Sequence, residues 1–177
     1  MCIKNLISFL LILLLLFFSS CRKASKVSEV VFELRHYSIN SLEGLITQKD
    51  LELDEWVSSD GIASLKISVT RPTRVRLFET GDIDVENACL IYEAKLRTKD
   101  FVGQVYLEML CNFPGKGEFF SRALESSIRE DTEWTSQETP FYLKKGENPD
   151  NVKLNLVING KGTVWIDDIR LIKAIID

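Results

Sequence analysis

Short runs in which every second residue is apolar limit this chain more than any other feature. Leu65, Ile67 and Val69 alternate with Ser64, Lys66 and Ser68; Leu90, Tyr92, Ala94 and Leu96 share one parity; Val105, Leu107, Met109, Cys111 and Phe113 share another. Val152, Leu154, Leu156 and Ile158 repeat the pattern. A period of two is that of a half-buried strand, and no segment carries a long helical period. Turn signals recur about every 8–12 residues, the spacing of a sandwich or barrel. The expected fold class is therefore all-β, an antiparallel β-sandwich.

The segment Asn159-Gly160-Lys161-Gly162-Thr163-Val164-Trp165-Ile166-Asp167-Asp168-Ile169-Arg170-Leu171 organises the rest. A glycine-rich turn feeds a β-branched and aromatic run near the C-terminus, so this strand is expected to insert between earlier ones and close a sheet. Val164 and Ile166 lie on one parity and Ile169 and Leu171 on the other. One extra residue at Asp167-Asp168 puts all four on one side, so a β-bulge is predicted there, with Ile158 pairing near Val164 and Leu154 near Ile169.

Other strands are expected at 30–37, 62–70, 74–77, 119–120 and 139–143, an extended covering segment at 41–60, and a polar loop at 126–136. Lys99-Asp100-Phe101-Val102-Gly103 reads as the turn of a hairpin that opposes Leu96 to Val105. In that hairpin Cys89 and Cys111 point to opposite faces, which disfavours a disulfide.

The first twenty residues are set apart. Lys4 precedes an apolar run over 6–18 broken only by Ser8, and Ser19-Ser20 precede Cys21, the layout of a secretory signal with its cleavage site. The apolar run is shorter than the ~20 residues of a membrane-spanning helix. The stretch resembles the bacterial lipoprotein signal, although Phe18 stands where leucine is usual. That resemblance implies cleavage before Cys21, acylation of Cys21 as the new N-terminus by palmitate-like chains, and a domain held on the exported side of the cell membrane or outer membrane; the alternative, an uncleaved N-terminal anchor, also holds the domain at a membrane. The organisation is then a signal peptide over 1–20, a lipidated tether over 21–29 and a sandwich domain over 30–177. Loss of Lys4 moves the formal charge from −4 to −5, and such a domain offers no electrostatic case for nucleic acid.

Four pieces in order carry a second resemblance: Ser59-Asp60-Gly61-Ile62-Ala63-Ser64-Leu65-Lys66-Ile67, Tyr92-Glu93-Ala94-Lys95-Leu96-Arg97-Thr98, Asp131-Thr132-Glu133-Trp134, and 160–169. Together they resemble the jelly-roll carbohydrate-binding modules of the galactose-binding-like superfamily, over most of the chain from residue 30 onward. The resemblance implies the fold more firmly than sugar binding, because Trp134 and Trp165 read as framework residues. It also implies a structural calcium, with Asp168 and Asp60 as the positions to suspect. The alternative at Asp168 is a side chain that bonds backbone amides at the bulge.

By the parity that puts the leucines inside, Glu93, Lys95 and Arg97 share the hairpin's outer face with Gln104, Tyr106 and Glu108. Guanidinium, carboxylates, an amide and an aromatic ring suit sugar hydroxyls and ring faces, so Glu93, Arg97, Gln104, Tyr106 and Glu108 are the candidate ligand-binding residues. An ordinary solvated sheet face has the same composition. His36 is the sole histidine and has no nucleophile assigned to it by motif, so no catalytic residue is named. Gly115-Lys116-Gly117 and Gly160-Lys161-Gly162-Thr163 lack P-loop spacing and read as turns. Two readings stay open: a non-catalytic, lipid-anchored envelope module that binds glycan or another polar ligand, and an envelope accessory lipoprotein that docks a protein partner in a membrane complex.

Overall fold

The computed structural model describes residues 31–175; the expected signal, the lipidation site Cys21 and the tether lie outside them. Eight antiparallel strands are formed: β1 (Val31–Tyr37), β2 (Leu51–Asp54), β3 (Ser64–Val69), β4 (Thr73–Thr80), β5 (Ala88–Phe113), β6 (Gly117–Arg122), β7 (Thr132–Leu143) and β8 (Asn151–Ile175). No helix occurs among the described residues.

Two strands dominate. β5 has 26 residues and β8 has 25, and they pair antiparallel from Ala88↔Ile175 to Asn112↔Asn151. At roughly 3.3 Å per residue, 26 residues would span about 85 Å if straight, far too long for a domain of this size, so the pair must bend. The bend falls where Lys99 pairs with Thr163 and Val102 with Lys161, one extra residue having entered β5. Asp100 takes a left-handed φ of 51° there. The two backbones come so close that a Cβ on Gly103 would lie 2.4 Å from the Asn159 carbonyl oxygen, and one on Gly160 would lie 2.4 Å from that of Val102. Only glycine fits such a corner.

Beyond the bend the pair passes from one sheet into the other. Sheet I holds the first half of β5 and the second half of β8, with β7 on the β5 side, β1 and β3 on the β8 side, and β2 outside β3. Sheet II holds the other halves, flanked by β4 on β8 and by β6 on β5. The sheet edges meet. Tyr37 of β1 stacks on Phe78 of β4 at 4.1 Å, and Ser121 of β6 bonds Thr139 of β7 at 2.7 Å. The result is the antiparallel jelly-roll β-sandwich expected of the alternation. Its core takes Leu90, Tyr92 and Leu96 from sheet I and Val105, Leu107 and Met109 from sheet II, all buried. Each such side chain contributes roughly 1.5–3 kcal/mol.

The terminal strand does insert between earlier ones, with β5 on one edge and β1, β3 and β4 on the other. Its bulge is present: Glu93 pairs with Arg170 but Lys95 with Asp167, and Asp168 has φ 50°. Val164, Ile166, Ile169 and Leu171 all face the core as a result.

Other expectations are corrected. Lys99 to Gly103 is no hairpin turn, because the extra residue reverses the parity of β5 without reversing its direction. Leu96 therefore opposes Ile166, and Val105 opposes Ile158. Val164 faces Thr98 and Ile67, and Leu154 faces Met109 and Phe78, rather than each other's strand half. Gly160-Lys161-Gly162 is likewise mid-strand. Of the expected polar loop, residues 132–136 belong to β7, an edge strand whose polar side chains face water. The segment 41–60 is not helical. It holds β2, and its Ile46 and Thr47 amides bond the Leu77 and Arg76 carbonyls along β4.

Candidate functional site

The outer face of sheet II is built by cross-strand register. Alternation turns Gln104, Tyr106 and Glu108 of β5 outward, opposite to Val105 and Leu107. Val157 stands between Arg74 and Tyr106, while Asn155 and Arg122 flank Glu108. Glu108 has no exposed surface. Its Oε1 accepts from Asn155 Nδ2 at 3.1 Å and stands 3.1 Å from Arg74 Nε in an ion pair. Its Oε2 accepts from Arg122 Nε at 2.6 Å and Arg74 Nη2 at 3.4 Å. A carboxylate removed from water is tolerated only with such partners. The Arg122 guanidinium lies 4.1 Å from the centre of the Phe120 ring, and that ring is exposed. Glu108 thereby holds two part-exposed guanidinium groups, of which that of Arg122 lies over the exposed Phe120 ring. Planar donors next to an apolar ring suit a ligand with hydroxyls at its rim and C–H groups on its face.

The five expected residues do not share one surface. Gln104, Tyr106 and Glu108 lie on sheet II, whereas Glu93 and Arg97 belong to the first half of β5 and point outward from sheet I. The bend between the halves is the reason. Arg97 pairs with Glu133 at 3.3 Å and lies 5.7 Å over Trp165. Tyr106 is only 6% exposed, and Gln104 donates to Ser127 Oγ at 2.8 Å. The expectation missed Arg74, Phe120, Arg122 and Asn155. Parity alone turns Arg74 and Asn155 outward, but which strands neighbour Glu108 is not written in any local pattern.

Trp165 is buried, and its Nε1 donates to Asp54 Oδ2 at 2.9 Å, as fits a framework residue; Trp134 on β7 is half-buried. The segment over 54–57 thus covers part of the outer face of sheet I. His36 Nε2 stands 3.0 Å from Asp168 Oδ1. Cys89 and Cys111 are buried in different sheets, and burial, helped by nearby Glu118, pushes the Cys111 thiol up to about 12.

Calcium does not fit the residues suspected for it. Besides His36, Asp168 meets Lys95 Nζ at 3.2 Å and Arg170 Nε at 2.8 Å. Burial opposes its charged form, yet the bonds from Arg170 and Lys95 outweigh that and hold its pKa below the usual carboxylate range. A divalent cation needs several oxygens, and here cationic groups surround the acid. Asp60 Oδ1 instead accepts from Ser58 Oγ and the Ile62 amide. It is Asp167, not Asp168, that bonds amides at the bulge, accepting from Asp168 N and Ser59 N, each at 2.8 Å. Among the described residues no group of three or more His, Cys, Asp or Glu is arranged to hold a metal.

No protein-family model matches the sequence, and no curated protein matches it. Solved structures do. The CBM22-1 xylan-binding domain from Paenibacillus barcinonensis Xyn10C superposes with a TM-score of 0.58 at 12% identity, over 84% of this chain and 98% of that one. The CBM22-1-GH10 modules of Clostridium thermocellum xylanase 10B, complexed with xylohexaose, give 0.57 at 13% identity over 80% of this chain, which spans 28% of theirs. The enzymatically active domain of bacteriophage CBA120 tailspike protein 4 gives 0.54 at 9% identity, over 76% of this chain and 20% of that one. At such identities these likenesses establish the β-sandwich fold that the chain shares with carbohydrate-binding modules.

Proposed function

We propose that the sandwich is a non-catalytic module that binds glycan on the outer face of sheet II, carried at the exported side of a membrane by an acylated Cys21. The observation that carries the reading is Glu108, buried on an outward-facing sheet and saturated by Arg74, Arg122 and Asn155. A buried ion cluster is poor value for stability alone; it does hold two guanidinium groups in place, that of Arg122 over the Phe120 ring. Neighbouring folds described as xylan-binding, or bound to xylohexaose, support the ligand class. The membrane part rests on the layout of residues 1–21.

Retardation in native gels containing xylan, mixed-linkage β-glucan or solubilised cell-wall polymer tests the glycan site. Phe120→Ala and Arg74→Ala each lower affinity about tenfold or more, equivalent to ~1.4 kcal/mol, and Glu93→Ala leaves it unchanged. Wild-type affinity retained in both sheet II variants would dismiss the site. Failure to bind any glycan, together with a crosslinked membrane-protein partner, would replace the module with an accessory role. Labelled palmitate incorporated by the wild type but not by Cys21→Ser checks the anchor.

A further inference from the structure

Trp56 is 96% exposed, on the turn between β2 and β3. Its backbone is nevertheless pinned. Asp54 Oδ1 accepts from the Trp56 and Val57 amides at 3.0 and 3.1 Å, while Asp54 Oδ2 takes the Trp165 indole N–H. Ser64 Oγ donates to the Val57 carbonyl. Two residues on, Ser59 donates through both N and Oγ, each at 2.8 Å, to Asp167, which is itself fully buried. The turn is therefore fastened to the outer face of sheet I on both sides of an indole that almost nothing covers.

Beside the indole lies a depression of about 320 Å³ lined by Glu52, Asp54, Glu55 and Lys66. Across Lys66 a second, of about 360 Å³, is lined by Arg97, Lys99, Thr163 and Trp165. Lys66 Nζ meets Glu52 Oε2 at 2.9 Å, so acceptors and a donor stand next to the ring. We propose that Trp56 is the stacking platform of a second saccharide site, on sheet I, for a neutral pyranose chain. The C–H face of a sugar ring covers the indole, carboxylates of Glu52 and Glu55 accept from its hydroxyls, and Lys66 donates. Charge selects this occupant. At the indole itself Lys66 is offset by Glu52, and Asp54, Glu55 and Asp60 on the turn disfavour anionic lipid head groups and anionic polymers. Arg97 and Lys99 line only the depression beyond Lys66, where Arg97 is paired with Glu133. A rigid presentation lowers the ordering cost of binding. The inference rests on the glycan-binding reading but uses the opposite face of the sandwich, so the two sites can be tested separately.

The experiment uses the full chain in a detergent without a sugar head group, as wild type, Trp56→Ala, Trp56→Tyr, Phe120→Ala and the Trp56→Ala/Phe120→Ala double variant. Each is run through gels containing xylan or mixed-linkage β-glucan, and its tryptophan quenching by acrylamide is measured with and without xylohexaose. Trp56 lies outside the core, so Trp56→Ala keeps the wild-type melting temperature. It lowers affinity at least fivefold in both the wild-type and the Phe120→Ala backgrounds, and Trp56→Tyr restores most of it. Xylohexaose shields the wild type from acrylamide, and the shielded fraction disappears in Trp56→Ala. Unchanged affinity on Trp56→Ala with a loss on Phe120→Ala overturns the second site and leaves the module standing; no retardation of the wild type overturns both. Quenching of Trp56 by brominated phosphatidylcholine in proteoliposomes, judged against Trp56→Phe, would place the turn in the bilayer and overturn the proposal.

Discussion

Replacing Glu108 by alanine tests the sheet II cluster most directly. The change removes the acceptor of three hydrogen bonds, at 2.6, 3.1 and 3.4 Å, and the partner of a 3.1 Å ion-pair contact with Arg74 Nε. Charge-assisted bonds contribute roughly 1.5–3 kcal/mol each, but the arginines must be discounted. Arg74 and Arg122 side chains are 52% and 31% exposed, so both regain water when the carboxylate leaves. Asn155, 2% exposed, does not, and an unpartnered buried amide costs about 1–3 kcal/mol. Adding the one lost methylene, at about 0.8 kcal/mol, brings the total to about 3 kcal/mol. With a urea slope near 2 kcal/mol/M, the midpoint falls by about 1.5 M, with the slope unchanged. Arg122→Ala destabilises more than Arg74→Ala, because Arg122 makes the shorter bond and is less exposed. A Glu108→Leu/Asn155→Leu double variant regains most of the loss, since no buried polar group is left alone. A midpoint shift below about 0.3 M for Glu108→Ala would refute the view that this carboxylate is buried and fully engaged.

At the sheet corner, Gly103→Ala puts a methyl 2.4 Å from the Asn159 carbonyl oxygen at φ 138° and prevents the β5–β8 pair from closing, whereas Gly115→Ala meets nothing and costs only the ~1 kcal/mol of an alanine at positive φ; melting temperatures separate the two. The depressed pKa of Asp168 means that its stabilisation is fully present above the unfolded value near 3.9 and is lost as pH falls through the folded value. Urea midpoints taken between pH 6 and pH 2.5 fall less steeply for Asp168→Asn than for the wild type. Because Lys95 and Arg170 already occupy that acid, neither millimolar calcium nor a chelator shifts the melting temperature, and a rise of several degrees with calcium would contradict this.

What could be read in advance follows from the range of each interaction. Parity is local, so the inward residues of every long run and the bulge at Asp168 were legible from spacing alone. The bend was not. Lys99-Asp100-Phe101-Val102-Gly103 has the composition of a hairpin turn, and only the partner strand decides whether the chain reverses or continues. That partner carries Gly160 and Gly162, whose missing side chains let β5 run through at a separation no other residue permits. Taking the bend for a turn placed Glu93 and Arg97 beside Tyr106 and Glu108, and it hid Arg74 and Arg122, which reach Glu108 from strands 34 and 14 residues away. Trp56 was visible as a tryptophan among polar neighbours. Its isolation from the core became clear only once Asp54 and Ser59 were seen to be tied to β8.

The same bend governs how the two proposed sites work together. Glu108 and Arg97 stand on one strand, but the corner between them turns their side chains out of opposite sheets. One short oligosaccharide therefore cannot touch Phe120 and Trp56 at once, and linking the sites gives no gain in effective concentration on it. Xylohexaose titrated into the wild type should report two independent sites, and the sheet II site should keep its dissociation constant when Trp56 is replaced. A long polymer behaves differently, because separate segments or separate chains can occupy the two faces. Loss of either face should then weaken retention on polysaccharide by far more than it weakens hexasaccharide binding at the remaining site. Equal losses on polymer and hexasaccharide would mean that only one face binds, and the Phe120→Ala and Trp56→Ala variants would show which.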